Sequence, residues 1–148
     1  MQHAAPRTVF LAVAAILACG DPALSPAGGD ASGAYTYEAR SGLFPVVIGT
    51  VTLTVEGDSA VTGTWELRRF PGSDPHIEVG PQIGSGTLAG RLNASGIIAV
   101  DLNPGWADNN VFLALGGTTR DHLTGTWDHS TIIGPVAGGA VELRRLIR

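Results

Sequence analysis

The chain has 148 residues, with nine Lys+Arg against 13 Asp+Glu and a formal charge of −4, and every one of the nine bases is an arginine. That length suits one domain with a real core, and the acidic balance excludes the broad basic footprint that nucleic-acid binding requires. Only 15% of the residues are charged and 6% are aromatic, while Gly numbers 21. The fold must therefore be built from Val, Ile, Leu and Thr on a Gly-punctuated backbone, which favours strands.

Met1 to Arg7 is weakly basic, and the apolar run from Thr8 to Ala18 leads directly into Cys19, the single cysteine. A run this short cannot cross a bilayer as a helix, which needs about 20 residues. Its order fits a secretory signal peptide over residues 1–18. Ile16-Leu17-Ala18-Cys19 resembles the lipobox of bacterial lipoproteins, with an aliphatic residue at −3, a small one at −1 and cysteine at +1. The resemblance implies that Cys19 becomes the lipid-attachment residue and that the protein is exported and held in the bacterial envelope. Gly20 rather than Asp follows the cysteine, so the expected location is the periplasmic face of the outer membrane. A lone cysteine in an exported chain also has no internal disulfide partner. Residues 19–33, rich in Pro, Gly, Ser and Asp, read as a lipidated flexible tether with a reach of roughly 20 Å.

From Ala34 to the end the chain alternates apolar and polar residues between short turn signals. Tyr35 and Tyr37 share a face in a first strand, and Ser41-Gly42-Leu43-Phe44-Pro45 turns the chain. Val51, Leu53 and Val55 then alternate with threonines. Glu56-Gly57-Asp58-Ser59 predicts a hairpin turn, followed by an inner face of Val61, Gly63, Trp65 and Leu67. A loop is expected from Phe70 to Pro81. Further strands are expected near 83–88, 97–102, 111–115, 123–127 and 140–147, with Asn93-Ala94-Ser95 in a hairpin turn. No segment carries helical periodicity between caps, so parallel crossovers are excluded. The expectation is an all-β fold, a single antiparallel meander of about eight strands closed as a small up-and-down barrel, with a two-sheet sandwich as the alternative.

Thr50–Trp65 aligns without a gap on Phe112–Trp127, and both copies end in Thr-Gly-Thr-Trp. Glu66-Leu67-Arg68-Arg69 echoes Glu142-Leu143-Arg144-Arg145 and marks two strand ends. Repetition of a hairpin unit accounts for both. The Gly-x-Trp pattern at Gly63–Trp65 and Gly125–Trp127 resembles the lipocalin and avidin group of up-and-down barrels. In lipocalins the motif lies on the first strand with a late arginine across the tryptophan, whereas here the tryptophans lie in the middle and late parts of the domain. Serial hairpins such as Gly86-Thr87-Leu88-Ala89-Gly90 and a closing strand rich in Arg also resemble uncharacterised bacterial lipoproteins. That likeness implies a fold and no activity.

The polar residues do not assemble a reaction. Asp121-His122 and Asp128-His129 fall at opposite ends of one strand, roughly 23 Å apart, and cannot share a metal. They and His76 are expected to be solvated loop histidines. The nucleophile-elbow register fails at Gly84-Ser85-Gly86, and neither that segment nor Gly138-Gly139 leads into a helix and a lysine, so both read as turns or bulges. No catalytic residue, metal site or cofactor is assigned, and a hydrolase is the least favoured reading. The aromatic residues that could touch a ligand are Trp65, Trp106 and Trp127, of which Trp65 and Trp127 occupy core-facing positions and Trp106 a loop. The functional expectation is a membrane-anchored barrel that binds a small apolar ligand or an envelope protein. Its alternative is a purely structural or interaction lipoprotein with a packed barrel.

Overall fold

A computed structural model describes residues 31–147, so the signal segment, Cys19 and most of the tether lie outside the described residues. Eight strands follow in chain order: β1 Gly33–Ser41, β2 Phe44–Val55, β3 Ala60–Arg69, β4 Gly84–Leu92, β5 Ile98–Asp101, β6 Asn109–Thr119, β7 His122–Thr131 and β8 Gly134–Arg145. Each pairs antiparallel with the next, and β1 pairs with β8 from Tyr35↔Arg145 to Arg40↔Ala140, so the meander closes into one barrel. Closure removes the open edges that a two-sheet sandwich would keep.

The turns form for local reasons. Gly42 adopts φ 58° between β1 and β2, a left-handed conformation that costs glycine little. In the β2–β3 turn Asp58 Oδ1 accepts from Ala60 N–H at 3.1 Å, and Glu56 N–H donates to Ala60 O at 2.8 Å. Asn93 Oδ1 accepts from the N–H groups of Ser95 and Ile97, both at 2.9 Å, which makes Asn93-Ala94-Ser95 the expected hairpin turn.

The alternating pattern places Tyr35, Tyr37, Leu53, Leu88, Leu113, Leu115, Leu123, Trp127 and Leu143 on the barrel axis, all buried. The sequence echo is also a structural one. Val51↔Trp65 and Leu53↔Gly63 across β2 and β3 recur as Leu113↔Trp127 and Leu115↔Gly125 across β6 and β7.

Three expectations are corrected. Gly84-Ser85-Gly86 and Gly138-Gly139 are neither turns nor bulges but lie within β4 and β8. β8 therefore starts at Gly134 instead of Ala140, after a tight turn at Ile132-Ile133. The reason is that Gly86 and Gly139 stand beside indole rings, and the space a side chain would take is already filled. His129 is not a solvated loop residue either; it sits buried on the inner face of β7.

The barrel has two unlike ends. At the near end, where the chain enters β1 and leaves β8, the Arg145 guanidinium lies 5.1 Å from the centroid of the Tyr35 ring. Its NH1 donates to Ser32 O at 2.8 Å, and Tyr35 O–H donates to Ala31 O at 2.7 Å. The late arginine thus packs on a tyrosine and not on a Gly-x-Trp tryptophan. At the far end lie Gly42-Leu43, the long connection over residues 70–83, the connection over 102–108, and Ile132-Ile133.

Candidate functional site

The far end carries both a lid and an exposed apolar surface. The 70–83 connection folds inward, burying Val79 and Gln82. Tyr37 O–H donates to Gln82 Oε1 at 2.7 Å, and Gln82 Nε2 donates to Val79 O at 2.7 Å, so the inserted amide is bonded at both ends. Burial pushes the Tyr37 phenol well above its ordinary range, because a phenolate there would have no water to solvate it. Gly80, at φ 65°, packs so closely under His129 that a Cβ would fall 2.6 Å from the ring. His129 Nε2 lies 2.6 Å from Asn109 Oδ1, while its Nδ1 is 3.7 Å from a Glu78 carboxylate oxygen.

Outside this lid the two hairpin tips are apolar. Leu43 is 86% exposed, Phe44 72%, Ile132 82% and Ile133 91%. The tips belong to hairpins that share the β1–β8 seam. Ile83 and Trp106 add exposed apolar surface on the other two connections. Single exposed apolar residues are ordinary, whereas here several of them gather at one end of the barrel. The accompanying charges are mainly acidic: Asp74, Glu78, Asp108 and Asp128 are exposed. Of the three arginines in this half, Arg40 pairs with Glu38, Arg69 NH2 donates to Ile77 O at 3.1 Å, and Arg68 is exposed on the outer wall.

The three tryptophans part company. Trp65 and Trp127 lie inside the barrel, each with its indole N–H engaged: Trp65 Nε1 donates to Leu102 O at 2.8 Å, and Trp127 Nε1 to Arg40 O at 2.9 Å. Trp106 is more than half exposed. Trp65 and Trp106 line one cleft of about 560 Å³ between the start of β4 and the 102–108 connection, while Trp127 is absent from it. A second cleft of about 410 Å³ lies between Phe44-Pro45 and Phe70 with Ile77. A shallow groove on the outer wall mixes Glu38, Glu66 and Glu142 with Arg68 and Arg144.

The histidines do not converge. His122 Nε2 sits 2.5 Å from Glu142 Oε1 at the near end, His129 lies under the lid, and His76 is exposed on the long connection. Among the described residues no group of His, Cys, Asp and Glu could hold a metal ion. Cys19, the expected lipid-attachment residue, lies outside the described residues.

Sequence reasoning missed Gln82 and Val79 as lid residues and missed the apolar tips. The tips were visible as Leu43-Phe44 and Ile132-Ile133, apolar pairs where turns normally carry polar residues, once the hairpins were placed. Gln82 had no comparable signal, because only the fold brings it beside Tyr37. Comparison of the chain with protein-family models, with curated proteins and with solved structures finds no match.

Proposed function

We propose that this chain is an exported, lipid-anchored docking protein of the bacterial envelope whose barrel presents its far end to another envelope protein. The observation that carries this reading is the gathering of Leu43, Phe44, Ile132 and Ile133 at the end opposite the entry of the tether. Side chains fill the barrel axis, which favours a docking role over a carrier of small apolar ligands. The lipobox-like segment ending at Cys19 supports export and anchoring, and the anchored chain would join the barrel at its near end, away from the far-end tips.

A photo-crosslinking residue placed at Ile133 or Leu43 in intact cells should yield an adduct of discrete mass with an envelope protein. The same residue at Thr62, on the exposed wall of β3, should yield none. Monomer alone from both tip positions would overturn the docking reading.

A further inference from the structure

The exposed tip of β2 forms one wall of a recess at the far end. Phe44 and Pro45 stand on one side of this cleft of about 410 Å³, and Phe70 with Ile77 on the other. The β1–β2 ladder changes register between Ala39 and Arg40. Such a bulge re-aims the side chains beside it. Here Val46 and Val47 are both buried, while Phe44 stays 72% exposed.

The opposite wall is set by the backbone of the 70–83 connection. Phe70 N–H donates to Val46 O at 2.9 Å, Ser73 N–H to Phe70 O at 3.0 Å, and Ile77 N–H to Asp74 O at 3.2 Å. Arg69, reaching in from the end of β3, donates from NH2 to Ile77 O at 3.1 Å. Two successive turns are thereby fixed in advance, so an occupant does not have to order them.

Asp74 is the charged residue on the wall of this cleft. Its Oδ1 accepts from His76 N–H at 2.8 Å, the ordinary use of an aspartate in a turn. That bond leaves its charge unneutralised, because among the described residues no arginine or histidine forms an ion pair with it. An apolar recess with an exposed, unpaired carboxylate on its wall is complementary to an apolar group that carries a positive charge beside it. The cleft beside Trp106 lacks that character. There β4 pairs with β5 only from Ala89 to Leu92, but Trp65 Nε1 reaches both Leu102 O and Thr87 O across the gap, and no charged residue lines the space.

We propose that the cleft between Phe44 and Phe70 is the anchor pocket of the docking surface: it takes one aromatic or aliphatic side chain of the partner protein, and Asp74 pairs with a lysine or arginine next to that side chain. The proposal rests on the reading that the partner is a protein, and it names the chemistry of the partner's contact. Phe44 belongs both to the cleft and to the exposed tip, so one partner surface meets Leu43, Phe44 and the recess together. Apolar anchors in such pockets carry most of the energy of a protein contact, and the charge beside them sets the choice of partner. The far end of a second copy is a poor source of the cation. Asp74, Glu78, Asp108 and Asp128 are exposed there, Arg40 and Arg69 are bonded within their own chain, and Arg68 lies on the outer wall.

The test uses the purified full chain and four tetrapeptides blocked at both ends: Gly-Phe-Lys-Gly, Gly-Phe-Gln-Gly, Gly-Phe-Glu-Gly and Gly-Ala-Lys-Gly. Amide shifts are followed by NMR in titrations to about 10 mM, the range of a single-anchor contact. Gly-Phe-Lys-Gly should move the amides of Phe70, Ser73, Asp74 and Ile77. The Gln peptide should bind about threefold or more weaker, the Glu peptide weaker again, and the Ala peptide not measurably. Asp74→Asn keeps an acceptor for His76 N–H, so the free barrel should be unchanged while the Lys and Gln peptides become equal. Phe44→Ala, at an exposed tip, should weaken the Lys peptide about tenfold with the fold intact.

Equal binding of the Lys and Gln peptides to the unaltered chain would overturn the proposal. So would a Lys preference that survives Asp74→Asn, shifts confined to residues around Trp106, or failure of every peptide to move Ile77. Concentration-dependent shifts at Phe44 without peptide would overturn it in favour of a second copy, and shifts produced by phosphatidylcholine vesicles but by no peptide would do so in favour of a lipid surface. In cells, Ile133 adducts that survive Phe44→Ala combined with Asp74→Asn would remove the anchor pocket and leave the docking reading. Peptide selection through Asp74 with no adduct from Leu43 or Ile133 would overturn the docking reading and, with it, the partner named here.

Discussion

Trp65 lies over Gly86, its partner across the β3–β4 ladder, so closely that a Cβ on the glycine would fall 2.7 Å from the indole. The other half of the barrel repeats the arrangement. Trp127 faces Gly139 across β7 and β8, and a Cβ there would fall 3.0 Å from the indole nitrogen. In each half the indole N–H then reaches beyond the next strand, to Leu102 O after β5 or to Arg40 O in β1. Gly86→Ala should push the ring aside and destabilise the barrel by about 1–3 kcal/mol, the usual cost of overpacking. Gly139→Ala should cost more, because its Cβ would also meet the Arg40 carbonyl at 1.9 Å, and backbone cannot swing away. Gly57→Ala, with open space around it and no positive φ, should stay within about 0.5 kcal/mol. Denaturant titration of the three variants checks the order.

Trp65→Phe and Trp127→Phe keep an aromatic ring but delete the indole donor and part of the volume. Each should lose about 1–3 kcal/mol, from the cavity and from a carbonyl left short of its bond. Trp127→Phe should be the worse, since Trp127 is fully buried and its bond to Arg40 O ties β7 across the seam where the first and last strands close the barrel. Thermal unfolding that ranks Trp65→Phe as the more damaging would show that the incomplete β4–β5 wall depends on its tryptophan more than the seam does.

Strand number, connection order and closure were legible because the relevant signals are local. Alternation along Val51-Leu53-Val55 or Val61-Trp65-Leu67 is written in consecutive residues, and so are the turns at Gly42, Asp58 and Asn93. The repeat ending in Thr-Gly-Thr-Trp gave the equivalence of β2–β3 with β6–β7. What was not legible depends on contacts between distant segments. Gly138-Gly139 looks like a break until Trp127 is seen to occupy the space of a side chain. His129 looks solvated until Gly80 packs beneath it. The unpaired stretch of β4 exists only because β5 stops at Asp101, a length that no pattern in the sequence announces.

The lid contains a titration that stability should report. Burial raises the Tyr37 phenol above its value in the unfolded chain. The folded state therefore keeps the proton where the unfolded chain releases it, so the stabilisation is complete below pH of about 10 and declines as pH rises beyond it. Unfolding free energy measured from pH 8 to 11.5 should fall at the upper end. Tyr37→Phe should reduce that slope, while costing about 1–3 kcal/mol at pH 8 because Gln82 Oε1 loses its donor inside the barrel. A slope unchanged by Tyr37→Phe would place the titration elsewhere.

Ile132→Asp and Ile133→Asp separate surface function from stability. Both side chains are almost wholly exposed, so neither substitution removes core packing, and denaturation midpoints should move by no more than about 0.5 kcal/mol equivalent. The double variant should nevertheless lose the tip adducts in cells, since an added carboxylate pair extends the acidic rim of Asp74, Glu78, Asp108 and Asp128 across the apolar tips. Retention of the adducts would show that the tips do not form the contact.

Cys19→Ser tests the anchor and its geometry together. The chain enters β1 at Gly33, at the near end, and the exposed apolar tips lie at the other. On the proposed anchoring, the chain between Cys19 and the barrel would keep the domain near its membrane without prescribing an orientation. Lipid chains, two or more per anchor, would make that attachment stable. The Cys19→Ser protein should therefore leave the membrane fraction with its fold unchanged, and tip adducts should fall because the local concentration that the tether maintains is lost. Labelled fatty acid should enter the wild-type chain and not the variant. Absence of label from both, with the wild type still in the membrane fraction, would mean that the barrel holds to the envelope through its own surface, and the exposed tips would then be the first residues to examine for that contact.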